Sequence, residues 1–410
     1  MNNALTVLKE RGFVQQCTDF EGLSKLMDEG PVTFYVGVDP TGPSLHIGHM
    51  VPFFALRHLR DAGHIGIALL GGGTGRIGDP SGKTEMRKLI SYEEIDANTE
   101  RVVKQLDRFV GFDGVHAFTA NNKDWLANLN YIEFLRDIGR HFSVNRMLSF
   151  EAYRNRMEAG LSFIEFNYQL LQSYDFLQLY KRYNCRLQIG GDDQWGNIVS
   201  GIELIRRVEG AECYGLTFPL VTTSDGKKMG KTEKGALFLD PAMTSPYEFF
   251  QYFRNVADAD VLRFLLMFTF LPIEECRRLG SLKDSALNDA KERLAWEVTS
   301  LIHGKEEADK ALAAARAAFR GEGDATQLPT TEIDPIWLEA GIGVLDLFVA
   351  SGLAPSKNEA RRLIQQGGAS VNGKKVEEEK HIYSTKDMVE GAMMLRAGKK
   401  RVARLVLKRE

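Results

Sequence analysis

The chain has little with which to build a metal centre, a disulfide framework or a membrane anchor. Its four cysteines, Cys17, Cys185, Cys213 and Cys276, are scattered through 410 residues, and none forms a C-x-x-C pair. That spacing indicates neither zinc ligation nor structural disulfides, and reduced thiols of a cytosolic protein are the expectation. No apolar run reaches the roughly 18 residues that a membrane span needs, and Met1–Gln16 has no signal-peptide pattern. A cytoplasmic protein with no membrane partner and no protein-bound metal is therefore expected. Internal repeats and low-complexity tracts are absent. The chain as a whole is not a polycation either, since 52 Lys+Arg against 55 Asp+Glu leave a net charge of −3.

What is present is ordinary globular material: 44% hydrophobic and 26% charged residues, in a length that suggests about two or three domains with ample core. The charge is uneven. Residues 342–410 hold 14 Lys/Arg against 8 Asp/Glu, so the tail is basic and the body acidic. A basic module on an acidic body suits a polyanionic partner, although on charge alone a mixed solvated surface is the better reading. From Val32 to about Leu220, apolar strands (Val32–Val38, Ile65–Leu70, Leu187–Ile189, Phe218–Val221) alternate with helical segments (Tyr92–Phe109, Ser162–Tyr183). This alternation implies a parallel sheet covered by helices. The stretch from about 112 to 160 interrupts it with helices. From Ser245 to Phe319 only helices are expected, and Arg320–Pro335 reads as a linker. A small α+β unit follows. Its helices are expected at Gly343–Ser351 and Ser356–Gln366, and its hairpin turns at Asn372-Gly373.

Three constellations carry chemistry. His46-Ile47-Gly48-His49 follows a strand and the segment Asp39-Pro40-Thr41, with Ser44 as the expected N-cap, so two imidazoles stand in the first turn of a helix. A helix start offers free N–H groups to phosphate, and Gly48 leaves room for a flat ring against the backbone. Lys228-Met229-Gly230-Lys231-Thr232 places two lysines three apart in a loop, which suits a clamp for a triphosphate; alone it would read as an exposed turn. Leu187–Asn197 ends a strand in two glycines, setting Asp193 and Gln194 at the carboxyl edge of the sheet, where open α/β folds bind ligands. By contrast, Gly73-Thr74-Gly75-Arg76-Ile77-Gly78 matches the dinucleotide fingerprint by letter only. No helix opens after it to receive a pyrophosphate, so it is read as a glycine-rich loop that lets backbone approach a small ligand and projects Asp79 into a pocket.

Taken together, Tyr35–Thr41, His46–His49, Gly71–Lys83, Tyr168–Phe176, Gly190–Asn197 and Lys228–Thr232 resemble, in order, the motifs of bacterial tyrosyl-tRNA synthetases, class I aminoacyl-tRNA synthetases. The resemblance runs through nearly the whole chain. It implies an α/β fold with a Rossmann-like parallel-sheet catalytic domain (1–222, helical insertion about 112–160). A mobile lysine loop and α-helical domain (223–320), a linker (321–341) and a small α+β RNA-binding domain (342–410) follow. It implies activation of L-tyrosine by ATP to tyrosyl-adenylate, then transfer to the 3′-terminal adenosine of tRNA(Tyr). By resemblance, Thr41, His46, His49, Lys83, Arg87, Lys228, Lys231 and Thr232 serve phosphoryl transfer. Tyr35 and Asp175 read the phenolic oxygen. Asp79, Tyr168 and Gln172 match the ammonium site and Gln194 the contact to the carboxyl end. Gly37, Asp39, Gly48, Gly191, Asp193 and Met229 match nucleotide contacts. Mg2+ is expected to come with ATP, with no permanently bound cofactor, and the family is usually a homodimer.

Two positions depart from the pattern: Val36 stands where relatives often carry cysteine, and Asp192, an added negative charge, where serine is common. The tail resembles the small RNA-binding fold first recognised in a small-subunit ribosomal protein. Lys357, Arg361 and Arg362 fall on one helix, and Lys374 and Lys375 follow the hairpin turn, all suited to tracking RNA phosphates. Two other functions share parts of this pattern: a synthetase for tryptophan or another aromatic, and an RNA-binding or splicing factor that kept the fold without catalysis.

Overall fold

A computed structural model describes residues 2–81, 90–224, 226, 229–232, 235–320, 330–389, 391–398 and 401–408. The chain divides into two compact units, Met1–Ser245 with Asn255–Leu294, and Pro246–Arg254 with Ala295–Glu410. No helix among the described residues is long and apolar enough to cross a membrane.

The first unit is built on a six-stranded sheet. Its strands are β1 (Gln16–Cys17), β2 (Thr33–Val38), β3 (Ile65–Leu70), β4 (Ala117–Asn121), β5 (Cys185–Gly191) and β6 (Tyr214–Phe218). Their order is β1-β6-β5-β2-β3-β4, parallel throughout except for β1, which pairs antiparallel with β6. The apolar runs of β2, β3 and β5 are buried because helices cover both faces. From β2 the chain moves outward to β3 and β4; β5 and β6 lie on the other side. A crevice therefore opens at the carboxyl ends of β2 and β5, the topological switch point.

Four sequence expectations need correction. The helix after β2 is Ile47–Asp61, and its N-cap is His46, not Ser44. The His46 ring accepts from the Gly48 amide at 3.1 Å, whereas the Ser44 hydroxyl turns to Leu45 and Gln105. The last strand is Tyr214–Phe218, earlier than Phe218–Val221. The stretch assigned to a helical insertion begins with strand β4, a short edge strand in which only Ala117 is fully buried, so no apolar run announced it. In the second unit, Thr330–Ile333 is a strand inside the expected linker; residues 321–329 of that linker lie outside the described ones.

The second unit packs the Pro246–Arg254 helix, through Phe249, Phe250 and Phe253, beside Lys305–Arg320. Its five-stranded sheet runs Lys374–Lys375, Ala369–Val371, Ala392–Ala397, Arg401–Leu407, Thr330–Ile333, with only the last pair parallel. The hairpin turns at Asn372 (φ 49°) and Gly373 (φ 78°), as the Asn-Gly pair requires. Val344–Ala350 and Lys357–Gln365 are the two expected helices, and they close a core around Leu347, Phe348, Ile364 and Leu395.

One buried ion pair orders the approach to the long Phe163–Tyr183 helix. Arg156 Nη2 lies 2.9 Å from Glu165 Oε1, with both side chains almost fully buried. Glu165 also closes a capping box with Ser162. Burial pushes the Glu165 pKa up, but hydrogen bonds from Ser162 and Arg156 outweigh it and hold the carboxyl below its ordinary 4.5. The pair's stabilisation is therefore full above that value and fades as pH falls through the lowered one. Arg156→Ala is expected to cost about 3–5 kcal/mol of stability by stranding a buried carboxylate. Arg206→Ala, in the exposed pair with Glu203, should cost at most about 1 kcal/mol. Urea-unfolding midpoints measure both, and equal losses would contradict the assignment.

Candidate active site

The crevice is a cleft of about 420 Å³. Its walls come from segments far apart in sequence. Tyr35–Val38 end β2 with Asp39 just after it, Gln188–Gly191 end β5 with Asp193 and Gln194 just after it, and Tyr168, Gln172 and Asp175 descend from one face of the Phe163–Tyr183 helix. Thr41, His46, Gly48 and His49 form its rim with Met229 and Gly230.

The floor is organised around Asp175, which is 2% exposed. Trp125 Nε1 donates to its Oδ1 at 2.7 Å, and Asn122 Nδ2 to its Oδ2 at 2.9 Å. Burial pushes its pKa up to about 7; the two hydrogen bonds oppose that, and the charge of Asp39 adds to it. Beside it the Tyr35 hydroxyl is buried with no hydrogen-bond partner among the described residues, and burial with the nearby Asp175 charge drives its pKa well above the ordinary value. An orphan phenol and a doubly held carboxylate form a polar floor to the cleft. Ring contact with Phe176 at 5.2 Å fixes the Tyr35 ring.

From the floor a hydrogen-bond chain climbs to the rim. Asn122 Nδ2 also donates to Thr74 Oγ1 at 2.8 Å, Thr74 Oγ1 donates to Asp39 Oδ1 at 2.7 Å, and the Tyr168 hydroxyl donates to Asp39 Oδ2 at 2.9 Å. Gly71 is forced by this chain, since a Cβ there would overlap the Asp39 carboxylate. On the other wall Gln194 Nε2 donates to Asp79 Oδ2 at 2.7 Å, and Asn197 Nδ2 bridges Gln172 Oε1 and Gln194 Oε1 at 3.0 and 3.1 Å. Four carboxylates thus line the cleft (Asp39, Asp79, Asp175, Asp193), and none of its described lining residues is Lys or Arg. Such a lining suits an ammonium and ribose hydroxyls. Among the described residues no group of three or more His, Cys, Asp or Glu could hold a metal.

At the rim, the His46 and His49 rings stack at 3.7 Å. A Cβ on Gly48 would stand 3.0 Å from the His46 ring, so glycine permits both the cap and the stack. The lysine-bearing loop comes to this helix start. Met229 N donates to Val221 O at 2.9 Å, Leu237 N to Gly230 O at 2.7 Å, and Ile47 N to Leu237 O at 3.0 Å. Gly230 has φ 78°, and a Cβ on it would stand 2.6 Å from Ile47 Cγ2.

All of Tyr35, Gly37, Asp39, Thr41, His46, Gly48, His49, Asp79, Tyr168, Gln172, Asp175, Gly191, Asp193, Gln194 and Met229 line the one cleft. Lys83, Arg87 and Lys228 lie outside the described residues, as do the side chains of Lys231 and Thr232. Sequence reasoning missed Thr74, Asn122, Trp125, Gln188 and Asn197. Asn122 and Trp125 follow the unannounced strand β4, so nothing local marked them. In the second unit Lys357 pairs with Asp346 at 2.6 Å and Arg361 with Glu379 at 2.9 Å, Arg362 lies 3.9 Å from Glu359, and Lys374 and Lys375 are exposed.

The chain matches the family described as tRNA synthetases class I (W and Y) over residues 27–320, and the tyrosine–tRNA ligase SYY-like C-terminal domain over residues 322–405. The tyrosine–tRNA ligase of Treponema denticola is 61% identical over 407 residues, covering 99% of this chain and 100% of that protein. That of Caldanaerobacter subterraneus subsp. tengcongensis is 53% identical over 406 residues, with 99% and 100% covered. A solved structure, the C-terminally truncated mitochondrial tyrosyl-tRNA synthetase of Aspergillus nidulans, matches with a TM-score of 0.70 at 34% identity, covering 77% of this chain and 94% of that one. With the parallel-sheet cleft described above, these matches mean that the chain belongs to the tyrosine–tRNA ligases, within the class I aminoacyl-tRNA synthetases.

Proposed function

We propose that the cleft joins L-tyrosine to tRNA(Tyr) in two steps. In the first, a carboxylate oxygen of tyrosine attacks the α-phosphorus of ATP; the bond to the bridging oxygen breaks, and pyrophosphate leaves. In the second, a hydroxyl of the terminal adenosine of tRNA attacks the tyrosyl carbonyl, and AMP leaves. The observation that carries this reading is the polar floor. Asp175, held by Trp125 and Asn122 beside an orphan Tyr35 hydroxyl, is built to meet a phenol. Phenylalanine would leave both groups buried without that partner, at a cost of about 1–3 kcal/mol for each unsatisfied group.

The other roles follow the same wall. Asp79, Tyr168 and Gln172 take the ammonium, and Gln194 takes the carboxyl end. Gly37, Asp39, Gly191 and Asp193 face the nucleotide. His46 and His49, at a helix start, donate to the phosphoryl group as its charge grows. Lys228, Lys231, Lys83 and Arg87 supply positive charge for the triphosphate, and Thr41 and Thr232 serve the same phosphoryl transfer, as the family resemblance implies. Magnesium arrives on the phosphate oxygens of ATP. In the tail Lys357, Arg361, Arg362, Lys374 and Lys375 track RNA phosphates. The protein works in the cytoplasm as a homodimer, as the family resemblance implies. The domain roles are those of the sequence reading: catalysis in 1–222, and RNA binding in 342–410.

The direct test is ATP–pyrophosphate exchange across amino acids: tyrosine should support exchange, and tryptophan-dependent exchange without tyrosine-dependent exchange would overturn the reading.

The Asp175 pKa of about 7 gives the sign of a pH effect. A phenol proton is accepted best by the ionised carboxylate, so binding pulls that pKa down. Tyrosine Kd should therefore fall as pH rises from about 6 to about 8, while phenylalanine Kd stays flat and Asp175→Asn removes the dependence. Equilibrium dialysis across that range measures it, and tighter tyrosine binding in acid would contradict the role.

Gly230→Ala should slow exchange by at least about tenfold with tyrosine Kd within about twofold, because it crowds Ile47 and strains the loop over the helix start. Gly226→Ala, where φ is 81° but a Cβ meets nothing within 4 Å, separates strain from crowding. An equal effect of the two would show that the contact with Ile47 is unimportant.

A further inference from the structure

The turn Asp192–Gln194 carries Asp193 and Gln194 over the cleft, yet the two residues before it are Gly190 and Gly191, which offer no side chain to brace it. Asp192 itself does not line the cleft. Its Oδ1 instead accepts from Gln16 Nε2 at 2.7 Å and from Thr217 Oγ1 at 2.8 Å. Thr217 is fully buried in β6, and its hydroxyl also accepts from the Gln16 backbone N–H at 3.2 Å. One carboxylate oxygen thereby ties the end of β5 to β6 and to the antiparallel edge strand β1. Bonds to an ionised acceptor are the strong kind, about twice a neutral pair.

The two residues that follow are held differently. Asp193 folds back on Gly191, where a Cβ would stand 2.7 Å from Asp193 Oδ1. Gln194 is fixed from the opposite wall by Asp79 and Asn197. Asp192 therefore fixes the path of the turn at its first residue, next to Asp193, while Gln194 is held from the opposite wall.

We propose that Asp192 is a positioning residue for the nucleotide: by accepting from Gln16 and Thr217 it sets the turn so that the Asp193 carboxylate meets the ATP ribose. This rests on the nucleotide role proposed above for Asp193.

The test uses the full chain in tyrosine-dependent ATP–pyrophosphate exchange, with tyrosine Kd measured separately. Asp192→Ala should raise the ATP KM about tenfold and leave the tyrosine Kd within about twofold. Asp192→Asn keeps an acceptor oxygen for both donors and should restore most of the loss. Thr217→Val, remote from the cleft, should reproduce part of the effect and add little to Asp192→Ala. An unchanged ATP KM in Asp192→Ala and Thr217→Val overturns the proposal, as does an equal loss of ATP and tyrosine binding. No tyrosine-dependent exchange by the unaltered chain would overturn the ligase reading, and this inference with it.

Discussion

A carboxylate buried at the foot of a cleft is tolerable only if something donates to it, and Asp175 is held by both an indole N–H and an amide. Much of the cleft hangs from that arrangement. Asn122 donates to both Asp175 and Thr74, Thr74 donates to Asp39, and Asp39 also accepts from Tyr168. The Asp175 floor and the Asp39 end of the cleft are therefore one hydrogen-bonded structure, pinned to the Gly73 amide through Asn122 Oδ1 at 2.7 Å. Such preorganisation lets the cleft meet developing charge without rearranging.

A second constraint acts at the rim, through backbone. Ile47 donates to Leu237, and Leu239 donates to Leu45, so the segment after the lysine motif runs beside the His46 helix start. Glycine at 48 and 230 lets the two approach. The imidazoles sit where the helix leaves its N–H groups open, and Met229 and Gly230 line the same rim.

Much of this was legible in the chain. The buried strands β2 and β3 announced themselves as apolar runs, because strands covered on both faces carry nothing else. Ser162 and Glu165 marked the start of the long helix, and Tyr168, Gln172 and Asp175, spaced four and three apart, shared its face. Asn372-Gly373 marked a hairpin. Strand β4 was illegible: an edge strand with half-solvated residues has no alternation to read. With it went Asn122 and Trp125, whose importance lies wholly in what they touch. Ser44 looked like the cap because hydroxyls usually are, but the His46 ring nitrogen took the Gly48 amide instead.

By itself, then, the sequence determined the alternation of strands and helices, the motifs, and the family to which they point, since each is written in local spacing. Only the tertiary structure decided that Asp175 has its two particular donors, that Asp192 ties β5 to β6 and β1 and is not a bystander, and that the rim pairs residues nearly two hundred positions apart. Those are relations between side chains on different elements. Their distances are set by how the sheet orders its strands, and no local window of sequence contains that order.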